Sequence, residues 1–400
     1  MKKLEFVLDK IIKSGIILYA VFAPFSISLS QIGIIPAIFF WIVKILLFKN
    51  ARKIRGSFIN IWVLILVLSM IISSFFAVDK IAALKGCRYL WQILILYLIL
   101  NNTDLKFVKK LIFILLISTF ILSLYGIYQH FYGWDIWKQK TLEPKGKYFV
   151  ASGFFGLHLT FAGFILTVSF LAFGLLIEYF KKFHLFFMYL SMVLSIIFSY
   201  ARSAWIGFIG GIVSTTFAKS KKFALFSVLI VLIFGMILYS FFPEIKIHMK
   251  KTVSFKWNKD RLSIWRIALE IIRDHPIFGI GNGNFKKLYK KYMRPDDRKP
   301  VGHPHNDFLN IYLTAGIGGF IAYIMIFYLF IRNIYKTYLS INNKEPFYKG
   351  ILLGSIGSVI SFLVAGLAQN YFTDSENGML LWFVMGLALK IEQHFMKGSE

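Results

Sequence analysis

Residues 223–242, FALFSVLIVLIFGMILYSFF, run for 20 residues without an Asp, Glu, Lys, Arg or His. A helix of that length spans about 30 Å, the thickness of a bilayer's hydrocarbon core. Outward from it, comparable apolar segments occupy 203–218, 183–199, 153–180, 107–128, 83–100, 58–76, 31–48 and 14–29 on one side, and 306–334, 348–371 and 377–393 on the other. The pattern predicts an all-α polytopic membrane protein with about twelve transmembrane helices. Composition agrees: 58% of residues are hydrophobic and 18% aromatic, with a mean hydropathy of +0.67, where soluble proteins hold about 45–50% apolar residues. No repeat relates the two halves, and residues 1–400 read as a single integral membrane domain. The basic start MKKLEFVLDKIIK resembles a signal peptide, but Glu5 and Asp9 interrupt it and no small-x-small cleavage site follows, so the first run is expected to stay as a helix.

The net charge of +27, from 46 Lys+Arg and 19 Asp+Glu, is an orientation signal and an attraction to anionic lipid headgroups in such a chain. No nucleic-acid module is visible, and nucleic acid is not an expected partner. A lone Cys87 rules out an intrachain disulfide and a thiolate metal cluster. Short cytoplasmic loops carry the excess Lys and Arg. Alternate connections here hold Lys49, Arg52, Lys53 and Arg55; Lys106, Lys109 and Lys110; Lys181 and Lys182; Lys219, Lys221 and Lys222; and Arg332, Lys336, Lys344 and Lys349. Both termini are therefore expected inside. Two loops on the outer face, 129–152 and 243–305, break the charge rule, and the second, between predicted helices nine and ten, carries 15 Lys/Arg against 6 Asp/Glu. A long loop crosses whatever its charge, so its basicity points to an anionic ligand on the outer face.

Residues 257–309 concentrate Arg, His, Asp, Asn and Gly. Within them 260–274 reads as an amphipathic helix with Leu262, Trp265, Leu269 and Ile272 on its apolar stripe, Asp260 as N-cap and Pro276 past its end. Too short to span, it is expected at the membrane interface. Arg266 has Glu270 at i+4, the spacing of an ordinary helical ion pair; Arg261 has no such partner and is the stronger anion-binding candidate. GIGNGNF, 279–285, fails both phosphate-loop patterns and leaves a flexible turn rich in N–H groups. His303 and His305 flank Pro304. A metal would need a third and fourth ligand, and none stands at a usual spacing, so no metal is expected. A histidine beside an anion-binding loop suits a general base, since its ordinary pKa near 6.5 lets it take a proton at neutral pH. Arg202, in SYARSAWIG, lies between two apolar runs, where a charge at bilayer centre costs about 2.5–3.5 kcal/mol. Facing a cavity or a headgroup, its guanidinium would bind phosphate bidentately.

YARSAWIG, RLSIWRIALEIIRDHPIFGIGNGNF, HPHNDFLNIYLTAGIGG and GLAQNYFTDSENG, in that order, resemble the signatures of the O-antigen ligase family and its polymerase relatives. The resemblance covers about 199–386. It implies an inner-membrane glycosyltransferase with a periplasmic active site, moving a glycan from an undecaprenyl diphosphate carrier to a sugar hydroxyl of lipid A-core without metal, nucleotide or other cofactor. The family's arginines fall on Arg202 and Arg261, with Arg266 as a further candidate for the diphosphate. Its histidine falls on His305, with His303 as a further candidate. The loop is more Lys-rich than the family pattern. An O-antigen polymerase would use the same donor with another glycan as acceptor. A flippase for lipid-linked glycans, the reading from a different class, would instead show a repeat, broken helices or charges deep in its spans.

Overall fold

The computed structural model describes residues 2–52, 54–179 and 183–397, with the side chains of 50, 251–253, 255–257 and 397 left aside. Lys53, Lys181 and Lys182 of the basic loops lie outside the described residues. Each of the apolar segments named above is largely helical over its described residues. Helices α1 (Lys2–Phe22) and α2 (Ile27–Leu47) form a hairpin that turns earlier than the apolar pattern suggests. Pro24 cannot continue the first helix, and Ser26 caps the second, its Oγ accepting the Leu29 N–H at 3.3 Å. After α3 (Asn60–Phe76), the expected span at 83–100 is divided into α4 (Lys80–Gly86), a 3₁₀ stretch Cys87–Gln92 and α5 (Ile93–Asn102).

Helix α6 (Leu105–Tyr132) ends in two small antiparallel hairpins, the exception to the all-helical expectation: β1 (Trp134–Asp135) pairs with β2 (Lys140–Thr141), and β3 (Pro144–Lys145) with β4 (Tyr148–Phe149). Asp135 fixes this loop. Fully buried, it accepts the Tyr125 hydroxyl at 2.8 Å and the backbone N–H groups of Trp137 and Lys138 at 3.1 Å. The chain continues through α7 (His158–Glu178), α8 (Phe183–Phe198), α9 (Arg202–Lys219), α10 (Lys221–Phe241), α11 (Pro243–Val253), α12 (Phe255–Asp274), α13 (Phe285–Tyr292), α14 (Asp307–Ser340), α15 (Pro346–Gly366) and α16 (Ser375–Lys397). Among the described residues, 8 helical segments are long and apolar enough to cross a membrane, and α3 and α8 are apolar but shorter. The architecture is that of an all-α polytopic membrane protein.

Helices α7 and α15 pack at the centre through glycines: a Cβ on Gly174 would stand 2.2 Å from the Gly350 carbonyl oxygen. Lipid is as apolar as leucine, so helices in it associate by close backbone approach rather than by burial from water. Peripheral α10 shows the other extreme, with Leu225, Phe226, Leu229, Leu232 and Met236 all exposed.

Helix α12 departs from the expectation at both start and face. It begins at Phe255, behind Ser254, because no Pro or Gly interrupts the backbone before Asp260. Its fully buried stripe is Ile264, Ile267, Ala268 and Ile271, packed with Ile280, Phe285, Leu288 and Tyr289 into a small second core, while Leu262 and Leu269 are exposed. The sequence carries two apolar stripes on this helix, and the partner from α13 selects between them.

Helix α14 is broken at Gly316, whose φ of 66° is left-handed. The break is filled by backbone: Ile317 N–H donates to the Ile277 carbonyl at 3.2 Å, and Ile280 N–H to that of Leu313 at 2.7 Å. A Cβ on Gly316 would lie 2.0 Å from the Ile277 oxygen, so only glycine fits. The segment between α12 and α13 is thereby locked into the bundle at the end where α9 and α14 begin and α15 ends.

Candidate active site

The site is built on the first turn of α14. Asn306 caps that helix, its Oδ1 accepting the Leu309 N–H at 3.0 Å, while its Nδ2 donates to the Leu367 carbonyl at 2.9 Å. Asp307, fully buried, accepts the backbone N–H groups of Tyr371 at 3.2 Å and Phe372 at 3.0 Å. Together they clamp the turn after α15 against the start of α14.

That clamp brings Gln369 to His305: Nδ1 of the imidazole lies 3.1 Å from Gln369 Oε1. A carbonyl oxygen can only accept, so Nδ1 carries the proton and Nε2 is left as the basic nitrogen. His305 is held in the left-handed region, φ 51°, a strained conformation for a non-glycine residue. Burial lowers its pKa from the ordinary value, the Gln369 bond opposes this, and the charges of Arg261 and Arg298 lower it further. His303 packs edge-on against it with ring centroids 4.4 Å apart, and its Nδ1 accepts the His305 backbone N–H at 3.3 Å. Burial, and then His305, bring the His303 pKa down to about 4.

Helix α12 supplies the guanidinium. Residues 261 and 265 are one turn apart on one helical face. Trp265 donates its indole N–H to the Pro304 carbonyl at 3.1 Å, which fastens the histidine loop beside Arg261. Arg261 makes no ion pair and no hydrogen bond among the described residues. Burial lowers its pKa, and the charges of Arg202 and Arg298 act in the same direction against Tyr371. Arg202 opens α9 and donates from Nη1 to Asn258 Oδ1 at 3.4 Å. The adjacent Ser203 meets the Tyr371 hydroxyl at 3.1 Å, so the start of α9 is tied to the same turn that carries Gln369. Arg202, Arg261, His303 and His305 thus converge from three parts of the chain, joined by Gln369, Tyr371 and Arg298, which motif reading did not single out.

Arg266 is occupied elsewhere. Its guanidinium bonds Glu270 at 2.7 Å and Asp297 at 2.5 Å, linking α12 to the loop after α13. The glycine-rich turn also spends its N–H groups on structure: Gly279 on His275, Ile280 on Leu313 and Gly281 on Ser73 Oγ at 3.0 Å. With His303, Asn310, Asn370 and Thr373 it encloses a cavity of about 110 Å³. Asn370 Oδ1 is buried there without a hydrogen-bond partner among the described residues. No group of three His, Cys, Asp or Glu side chains suited to a metal occurs among the described residues.

Residues 185–324, which contain Arg202, Arg261, Arg266, His303 and His305, match the profile of the family described as O-antigen ligase. Over this region the chain is similar to the O-antigen ligase family. A Rickettsia conorii protein named provisionally as a polysaccharide ligase is 25% identical over 221 residues, 51% of this chain and 49% of that protein. An uncharacterised Haemophilus influenzae protein is 26% identical over 133 residues, 31% of this chain and 32% of its own. The chain therefore spans about half or less of the curated relatives it matches. The profile match ends at residue 324, before Gln369 and Tyr371.

Proposed function

We propose that the protein is an inner-membrane glycosyltransferase, an O-antigen ligase that moves a glycan from undecaprenyl diphosphate to a sugar hydroxyl of lipid A-core on the periplasmic face. The observation that carries this reading is Arg261, half-buried among like charges without an ion-pair partner among the described residues and within electrostatic reach of His305. Crowded cations raise one another's free energy, and a diphosphate relieves the repulsion while satisfying the guanidinium fork. In the reaction the sugar C1–O bond to phosphate breaks and a bond from C1 to the acceptor oxygen forms. The electron pair leaves with the diphosphate, held by Arg261 and Arg202. The acceptor proton passes to His305 Nε2. Gln369 holds the tautomer this requires, His303 backs the ring, and Arg266 braces the loop rather than the ligand.

The break in α14 is filled by backbone from 277–280 and not by ionisable groups, which favours an enzyme over a flippase. Lipopolysaccharide gels from a strain lacking the gene test the reading. Loss of all long O-chains with carrier-linked polymer accumulating is expected of a ligase, whereas a core bearing a single repeat unit would make the protein a polymerase.

A further inference from the structure

At the end of the bundle opposite the His–Arg site, where both α1 begins and α16 ends, the ends of α2, α5 and α16 and the start of α6 surround a cavity of about 1410 Å³. Its wall is built rather than loose. Asn101 Oδ1 accepts the Arg55 backbone N–H at 2.7 Å, and Gln393 Nε2 donates to the Gly56 carbonyl at 2.8 Å, so the segment between α2 and α3 is fastened to α5 and α16.

The lining is cationic at two depths. Lys390, only 7% exposed, forms part of the floor and donates to the Leu100 carbonyl at 3.0 Å. Arg55 and Lys106 stand on the exposed rim. None of the three makes an ion pair among the described residues, whereas Lys44 in the same wall is already spent on Asp9 at 2.6 Å and Glu5 at 3.7 Å. Of the two acids in the lining, Glu5 pairs with Lys44 and Asp104 uses Oδ1 to cap α6. Gln393, 8% exposed and one helical turn from Lys390, leaves its Oε1 without a hydrogen-bond partner among the described residues. That pairing suits a phosphate ester that also bears a hydroxyl. Trp41, Ile54 and Leu105 add apolar wall. A bare anion has no use for such a wall, but the glycerol and first methylenes of a lipid do. Basic pockets between transmembrane helices hold anionic headgroups in this way.

We propose that this cavity binds the phosphate-bearing, hydroxylated headgroup of an anionic phospholipid, with Lys390 on the phosphate and Arg55 and Lys106 at its mouth. The site is separate from the glycosyl-transfer chemistry and stands or falls independently of it. The full chain, purified in neutral detergent, is titrated calorimetrically with dihexanoyl phosphatidylglycerol, dihexanoyl phosphatidylcholine and inorganic phosphate. Phosphatidylglycerol should saturate one site per chain, phosphatidylcholine should give no saturable heat, and phosphate should bind more weakly. Lys390→Gln should weaken phosphatidylglycerol binding about tenfold or more, as expected for one lost charge-assisted hydrogen bond. Lys106→Gln, on the exposed rim, should weaken it severalfold with an unchanged melting temperature, which keeps the test open if the buried variant folds poorly. Phosphate binding as tightly as phosphatidylglycerol would overturn the assignment to a lipid. Equal binding of the two lipids, or phosphatidylglycerol binding indifferent to both substitutions, would overturn the site.

Discussion

His305 and Gln369, 64 residues apart in sequence, meet at 3.1 Å between Nδ1 and Oε1. This one contact decides which imidazole nitrogen is basic. It exists because Asp307, two residues after the histidine, holds the backbone of Tyr371, two residues after the glutamine.

A pH profile reads the contact directly. Only neutral His305 can accept a proton, so transfer is lost as pH falls through its pKa, which burial and then Arg261 and Arg298 place below 6.5 against the pull of Gln369. The acid limb of kcat/KM should therefore lie below that value. Gln369→Leu removes the acceptor that favours the imidazolium and should move the limb lower with a reduced rate. Gln369→Glu should move it higher, as should Arg298→Gln. A limb near the value of about 4 that belongs to His303, unmoved by any of these changes, would transfer the role of base to that residue.

The arginines should separate by role. Arg261→Ala should nearly abolish transfer, and so should Arg202→Ala; Arg261→Lys should keep only part, since a point charge cannot reproduce the fork. Arg266→Ala should instead cost about 1 kcal/mol of stability by removing the tie from Glu270 and Asp297, which Arg294 still partly holds, with a smaller effect on the rate of folded protein. Thermal melts alongside transfer rates distinguish the two. Full activity of a stably folded Arg261→Ala protein would remove that residue from the site.

Trp265 is assigned a positioning role through its bond to Pro304. Trp265→Phe keeps the aromatic packing and loses the donor. The expected result is a lower kcat with donor KM and melting temperature little changed; a melting temperature that falls in step with kcat would make the residue structural only.

Much of this was legible beforehand because lipid imposes a blunt rule, about 20 apolar residues per span; among the described residues 8 helical segments meet it, where the sequence predicted about twelve. The arginines and histidines were legible because charge is scarce in such a chain. Gln369 was legible only as part of the signature stretch GLAQNYFTDSENG, without a role of its own; its importance appears when Asp307 folds that turn onto α14. The buried face of α12 was not legible either. Its two apolar stripes, one through Leu262 and Leu269 and one through Ile264 and Ile271, have the same helical period, and only the docking of Tyr289 and Phe285 chooses. The turn at Pro24 and Ser26 was not read either, because the apolar run continues through it to Leu29.

Orientation is an independent prediction from the alternation of basic loops. Reporter fusions active only in the periplasm should be active at Lys256 and Lys290 and silent at Arg52. The reverse pattern would place the His–Arg site on the wrong face for a lipopolysaccharide acceptor.

The most direct measurement is transfer by purified protein in detergent from undecaprenyl diphosphate-linked glycan to lipid A-core, comparing wild type with His305→Ala at matched protein level, together with donor binding. Loss of the general base should slow transfer by about 10² to 10⁴-fold while donor affinity, set by Arg202 and Arg261, is retained. Wild-type rates in His305→Ala, with His303→Ala inactive, would contradict the assignment of His305 as the base.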